Sequence, residues 1–455
     1  MTVTRIGVVV FVCLAALAIA ADPETVFVAD GVAKGVRFDG KDWTLNEGFL
    51  ECEGVDNIDQ REVHRTKVDP QLPLSIGLRP WRSKLRVASL AATGSLLAAP
   101  QPPFQTEVFV GGTEGYHTFR IPALITTAKG TLLAFCEGRK SGGSDAGDID
   151  IVLRRSTDGG QTWSKLQVVA DHDTNTIGNP CPVVDQSTGR IWLPLTWNLG
   201  TDAESQIMAG TSRDARRVYL TVSDDDGFTW APLQEISDST RQPHWRWYAT
   251  GPGVGIQLTR GPHAGRLVIP ANHSDHSDPA RHPYRSHVLI SDDHGKTWRL
   301  GGVIGEKTNE STIAELSDGR ILDNMRSYQG QHRRAIATSD DGGETWSPVT
   351  LDEALVEPVC QASLLRYSFV GKDQKSRLLF ANPASTGRQL MTVRISYDEG
   401  RTWPVSKLIY AGSAAYACLT KLPDESIGLL YERDGYRKIT FARFDLGWLT
   451  EGQDR

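Results

Sequence analysis

The chain has 455 residues and a formal net charge of −6, with 49 basic against 55 acidic side chains. That balance leaves no basic footprint of the kind nucleic acid requires, so nucleic acid is excluded as a partner. The length exceeds one ordinary domain, although repeat folds use several hundred residues as one.

Arg5 precedes an apolar run from Gly7 to Ala20, and the small residues Ala18-Ile19-Ala20-Ala21 close it. This is the pattern of a secretory signal peptide over residues 1–21, cleaved near Ala20 or Ala21, with an uncleaved membrane anchor as the alternative. The mature chain is then secreted or periplasmic, and no other stretch is long and apolar enough to span a bilayer. Cys52, Cys136, Cys181, Cys360 and Cys418 remain after cleavage. Their odd number, wide spacing and lack of a Cys-x-x-Cys pair imply neither a disulfide framework nor a zinc site, and they read as small buried thiols.

Residues 22–103 form an N-terminal segment to which the sequence assigns no function. Its first part is β-prone (Thr25 to Ala29, Gly35 to Phe38, Trp43 to Leu45, Gly48 to Glu53) and too short for a good core of its own. The stretch 61–90 turns basic, and small residues from Ala91 followed by Pro100, Pro102 and Pro103 read as a linker.

Residues 104–449 have a different texture. Short runs such as Leu132-Leu133-Ala134-Phe135 and Leu267-Val268-Ile269-Pro270 alternate with Gly, Asp and Asn turns, and helical periodicity is nearly absent. Five copies of Ser-x-Asp-x-Gly-x-Thr-Trp punctuate the stretch: Ser156 to Trp163, Ser223 to Trp230, Ser291 to Trp298, Ser339 to Trp346 and Ser396 to Trp403. Each reads as a tight hairpin in which the Asp bonds turn amides, the Gly takes positive φ and the Trp plugs the sheet behind it. Their spacing of 48 to 68 residues suits units of about four short strands, the mark of a β-propeller. Five marked units and one unmarked make an all-β, six-bladed β-propeller whose ring closes near the C-terminus. A feature repeated five times in register is structural, so the chemistry belongs to residues between the boxes.

Among those, Arg120 sits inside the apolar strand Phe119-Arg120-Ile121-Pro122-Ala123-Leu124, where a guanidinium is costly unless an anion meets it. A structural ion pair is the plain reading of Arg120 alone. Arg326 and Arg388 occupy comparable settings. Blades converge at a channel mouth, and three converging guanidiniums there would grip a carboxylate in a fixed plane.

With Phe-Arg-Ile-Pro followed by repeated Asp boxes, the chain resembles the bacterial-type exo-α-sialidases (neuraminidases) with BNR repeats over roughly residues 106–446. The resemblance implies roles for single residues. Arg120, Arg326 and Arg388 would hold the sialic acid carboxylate, with Glu432 orienting Arg120. Arg139 would line the O4 side. Asn179 stands where many members carry Asp. Tyr416 would be the nucleophile, activated by Glu310. Asp145, in the loop Gly142-Gly143-Ser144-Asp145-Ala146-Gly147, would be the acid/base, with Asp148 or Asp150 as alternatives. Trp245-Arg246-Trp247-Tyr248 either lines the glycerol end of the pocket or packs a blade. Asn272-His273 either touches the same end or forms an ordinary turn.

The chemistry explains this cast. Sialic acid carries its carboxylate on the anomeric carbon, so an anionic Asp or Glu nucleophile meets like charge. A neutral Tyr avoids that repulsion. Its phenol, with an ordinary pKa near 10, needs a base within hydrogen-bond reach. The expected activity is hydrolysis of terminal α-ketosidically linked sialic acids from glycoproteins, glycolipids or oligosaccharides, with retention. The expected enzyme is a monomer with no metal and no organic cofactor. A trans-sialidase and a non-catalytic sialic-acid-binding propeller are the competing readings.

Overall fold

The computed structural model describes residues 103–454 apart from 279, 372 and 373, together with short strands between Val28 and Leu96. Residues 1–21, with the expected signal peptide, and Cys52 lie outside the described residues. The chain divides into two compact units, Met1–Gln101 and Pro102–Arg455. In the first, Val28–Asp30 pairs with Leu74–Ser75 and Ser95–Leu96, and a second small sheet contains Val36–Phe38 and Lys41–Asn46.

The second unit is all-β in its sheets, with only short helices between strands. Its strands run as successive antiparallel meanders. The first comprises Thr118–Thr126, Leu132–Arg139, Ile149–Ser156 and Gln167–Ala170. Thr308–Glu315, Ile321–Ser327, Arg333–Ser339 and Thr350–Val356 repeat the same order further along. The last meander borrows its outer strand from the start of the unit: Lys438–Phe444 pairs with Phe104–Val110. Each strand alternates its side chains between the two faces; inner strands such as Leu132–Arg139 and Ile191–Asn198 are buried on both, whereas outer strands such as Thr350–Val356 keep exposed positions.

The five boxes form the hairpins expected of them. In the first, Ser156 Oγ donates to Asp158 at 2.8 Å and accepts from the Gly160 amide at 2.9 Å, while Asp158 accepts from the Thr162 amide at 2.9 Å. The Thr amide donates to the box Asp in the other four as well. The Trp rings reach neighbouring sheets: Trp163 meets Phe441, Trp230 meets Phe135, and Trp298 meets Trp192. The box Gly allows this approach. At Gly295 (φ 86°) a Cβ would lie 2.1 Å from the Trp192 ring, an impossible contact.

The core therefore sits between adjacent meanders. Ala123, Phe135 and Leu153 pack with Ile177, Leu193 and Leu195, and Cys181, Trp192 and Leu220 pack with Trp245, Leu267 and Leu289. Cys136, Cys181, Cys360 and Cys418 are buried and unpaired. The innermost strands are also tied by side chains. The Leu364 amide donates to Thr312 Oγ1 at 3.0 Å, the Leu419 amide to Ser363 Oγ at 2.9 Å, and Gln361 joins the Pro252 carbonyl to both backbone groups of Ala417.

Candidate active site

The innermost strands are irregular where chemistry-bearing residues occur. Pairing registers shift between Arg120 and Ala123, between Thr308 and Ser311, between Gln389 and Met391, and between Ala414 and Ala417. These β-bulges contain Ile121, Glu310, Leu390 and Tyr416, and a bulge re-aims side chains out of the regular alternation. Ile121, Asn179 and Leu390 hold φ values of 62°, 54° and 62°. Left-handed backbone is costly for Ile121 and Leu390 and persists only where the surroundings impose it, whereas Asn179 takes it more readily.

One pocket gathers Arg120, Arg139, Asp145, Asn179, Glu310, Arg326, Arg388 and Tyr416. All eight were singled out from the sequence, and Glu432 lies directly behind them. Glu432 is fully buried and accepts four hydrogen bonds: Arg120 Nε at 3.0 Å, Arg120 Nη2 at 3.3 Å, the Ile121 amide at 2.9 Å and the Tyr416 amide at 3.1 Å. One carboxylate thus aims an arginine and braces both bulges.

Tyr416 donates its hydroxyl to Glu310 in a short contact. Arg326 Nη1 donates to the other Glu310 oxygen at 2.8 Å and to the Tyr416 hydroxyl at 3.3 Å. Burial first, and the Glu310 charge second, push the Tyr416 phenol well above its usual value, against the pull of Arg326 and Arg120. It is a neutral phenol whose proton already points at a carboxylate.

Asp145 stands on its loop with a side chain 56% exposed, 2.7 Å from Arg139 Nη2 and 3.7 Å from Arg120 Nη1. Burial raises the carboxyl, but Arg139 and Arg120 outweigh it and hold Asp145 below its ordinary value. Asp148 and Asp150 face elsewhere, toward Lys140 at 2.9 and 3.2 Å, and Asp150 also accepts from the Tyr116 hydroxyl at 2.6 Å. They anchor the loop; Asp145 is the carboxylate at the pocket.

Several contributors escape a sequence reading. Glu137 fixes Arg139 through its Nε (3.0 Å) and Nη2 (2.7 Å) and accepts the Asn179 amide at 2.9 Å. The Glu137-Gly138-Arg139 spacing puts both side chains on one face of a strand, which is the available signal. Arg216 is buried and donates to Asn179 Oδ1, Asn198 Oδ1 and the Tyr248 carbonyl, all neutral acceptors. Burial lowers its pKa, Glu137 and Glu204 opposing. Tyr436 reaches across from the C-terminal end of the unit, its ring 4.3 Å from the Arg120 guanidinium and its hydroxyl accepting from Arg388 Nη1 at 2.9 Å. No sequence signal marks either residue.

The two open alternatives resolve by face. Trp247 lines the pocket beneath Arg216 at 4.1 Å, whereas Trp245 is core. Asn272 lines the pocket, while His273 points away, stacked on Trp245 at 3.4 Å with its Nδ1 3.0 Å from that of His287. Among the described residues no group of His, Cys, Asp or Glu is arranged to hold a metal ion.

The arrangement offers cations for a carboxylate, a phenol with an attendant base, and a solvent-accessible acid, the needs of a glycosidase acting on an acidic sugar. Residues 130–431 match the BNR repeat-like domain family. Over 397 residues the chain is 37% identical to a sialidase of Micromonospora viridifaciens, covering 83% of this chain and 60% of that one. Over 373 residues it is 34% identical to an exo-alpha-sialidase of Aspergillus fumigatus, covering 74% and 86%. A Hadza microbial sialidase of solved structure aligns with a TM-score of 0.69 at 31% identity, covering 80% of this chain and 73% of that one. The chain belongs to the BNR-repeat family, and within it to the sialidases.

Proposed function

We propose that this protein is an exo-α-sialidase that releases terminal sialic acids from glycoproteins, glycolipids or oligosaccharides with retention, through Tyr416 as nucleophile. The observation that carries the reading is the Tyr416–Glu310–Arg326 contact beside Arg120 and Arg388. Arg120, Arg326 and Arg388 bind the sugar carboxylate, and Arg139 and Asn179 line the pocket beside them. The meanders form six blades of a propeller, the last closed by the strand Phe104–Val110. The apolar run at residues 7–20 supports export.

The reaction runs in two displacements. The Tyr416 oxygen bonds to the anomeric carbon as its proton passes to Glu310, and the ketosidic oxygen leaves with a proton from Asp145. Asp145 then takes a proton from water, whose oxygen replaces Tyr416 at carbon, and Glu310 returns the phenol proton. Arg139 and, second to it, Arg120 hold Asp145 below its ordinary value; a substrate carboxylate seated against Arg120 offsets one of these two cations, so binding shifts Asp145 toward the protonated acid. The open face of Asp145 gives water access, which supports hydrolysis over transfer. The nucleophile–base pair speaks against a purely binding role.

Tyr416→Phe tests the mechanism, because it retains the ring and removes the attacking oxygen. With a natural sialoside, kcat falls about a thousandfold or more while the thermal unfolding profile persists. NMR of the wild-type reaction shows the α-anomer of the free sugar first. Turnover near wild type in Tyr416→Phe would refute the nucleophile assignment.

A further inference from the structure

Next to the pocket lies a second, larger groove, and the two share Arg120. One wall is the turn after Val110, with Gly112 and His117; the other is residues 434–438; Gly143 forms one end. Gly143 belongs to the loop that carries Asp145, and its carbonyl accepts from Arg139 Nη1 at 2.6 Å. The groove therefore begins where the acid on that loop would meet a leaving oxygen.

Its partition from the pocket is Tyr436. Asp434, Gly435 and Tyr436 form three successive left-handed residues, with φ values of 56°, 63° and 66°. Such a run is costly for Asp and Tyr and is imposed from outside. The Asp434 amide donates to the Ser413 carbonyl at 3.0 Å, the Asp434 carboxylate is held by Tyr410 and Arg433, and the Gly111 amide donates to the Arg437 carbonyl at 2.8 Å. The result lays the Tyr436 ring on Arg120, with its hydroxyl at Arg388, and turns residues 434–438 toward the groove. Gly112, Gly143 and Gly435 have open space where a Cβ would stand, so bare backbone is exposed along it.

The charge of the groove is one-sided. Lys438 is paired with Glu107, and Asp434 is taken up by Tyr410 and Arg433. Arg437 is exposed, donates Nε to the Asp434 carbonyl at 3.1 Å, and has no carboxylate partner among the described residues. Its two terminal nitrogens remain available for an anion.

We infer that this groove binds the leaving group of the substrate and favours one bearing a carboxylate next to the cleaved bond. The inference rests on the sialidase reading of the neighbouring pocket. With a terminal sialic acid in that pocket and its ketosidic oxygen at Asp145, the rest of the glycan passes over Gly143 and Arg120 into the groove. Exposed backbone suits the hydroxyl-bearing edges of a sugar ring. Arg437 suits an acidic one, and the acidic sugar in that position is a second sialic acid. The substrate class is an oligosialyl chain.

The test compares kcat/KM for a sialic acid dimer, neutral sialyllactose and an aryl ketoside whose leaving group is too small to enter the groove. Wild type, Arg437→Ala, Arg437→Glu and Arg437→Lys are measured in parallel. The ratio of dimer to aryl ketoside falls about fivefold in Arg437→Ala, further in Arg437→Glu, and least in Arg437→Lys. Sialyllactose follows the aryl ketoside more closely than the dimer does. Equal changes on all three substrates, or none on the dimer, overturn the groove assignment while leaving the sialidase reading intact. A folded wild type inactive on all three overturns that reading, and the groove assignment with it.

Discussion

Glu432→Gln isolates the carboxylate on which the pocket is built. The substitution keeps size and shape and removes one charge. An amide oxygen can still accept from Arg120 Nε and the Ile121 amide, at the present 3.0 and 2.9 Å. The amide NH2 must then face Arg120 Nη2 and the Tyr416 amide, both donors, now at 3.3 and 3.1 Å. Two hydrogen bonds become donor–donor contacts, and a guanidinium with only 9% of its side chain exposed loses its fully buried counter-ion. Breaking such a pair from one side costs about 3–5 kcal/mol, because the surviving charge stays buried. Urea unfolding followed by tryptophan fluorescence should show that loss at an unchanged m-value, within the total of about 5–15 kcal/mol typical of a folded domain. The same variant loosens the bulges at Ile121 and Tyr416, so kcat/KM for a sialoside falls more than the loss of one arginine contact explains. An unfolding free energy within about 0.5 kcal/mol of wild type would refute the argument, since that is the range of inconsequential surface changes.

Two further expectations concern pH. Burial holds His273 and His287 neutral, His287 down to about 3, with Arg285 and His244 adding repulsion at His273. Folded values below the unfolded value of about 6.5 mean full stability above that pH and loss as acid protonates the unfolded chain, about 2 kcal/mol per ring by pH 5. A flat urea midpoint between pH 7 and pH 5 would contradict this. Asp323 is fully buried, and burial lifts it to about 8 against the pull of Ser311 and Arg334. Its folded value is raised, so stability is lost as pH climbs from about 4 toward 8. Asp323→Asn removes that loss and should raise the melting temperature by at least about 3 °C at pH 8, with a smaller gain at pH 5. An equal change at both pH values would show that ionisation is not the cause.

The repeats were legible because a box places Ser, Asp, Gly, Thr and Trp within eight residues, and its Ser–Asp–Thr hydrogen bonds are local. Arg120, Arg326, Arg388, Glu310 and Tyr416 were legible because polar groups interrupt apolar strands or follow a familial order. Their convergence in one pocket depends on bulges, which are register shifts between strands and leave no periodic trace. Tyr436 and Arg216 show the limit. The first acts through a left-handed backbone run and a contact with Arg120, more than 300 residues earlier in the chain. The second differs from its neighbour Arg217 only in which face of a strand edge it occupies. Glu137 was within reach, since two residues of one strand separated by a single glycine must share a face.

The pairing of Lys438–Phe444 with Phe104–Val110 has a consequence for biosynthesis. Tyr416, Glu432 and Tyr436 all arrive late, whereas Arg120 is made early and stays a buried cation without its counter-ion until Glu432 emerges. A ribosome-bound chain stalled at residue 413 carries most of its sheets and none of those three groups. Catalytic competence would therefore switch on in one step once the stretch from Tyr416 to Phe444 has emerged, and turnover could serve as a readout of synthesis through that last strand. A circular permutant opened between Val110 and Thr118 would move this seam, and the order in which the pocket assembles would move with it.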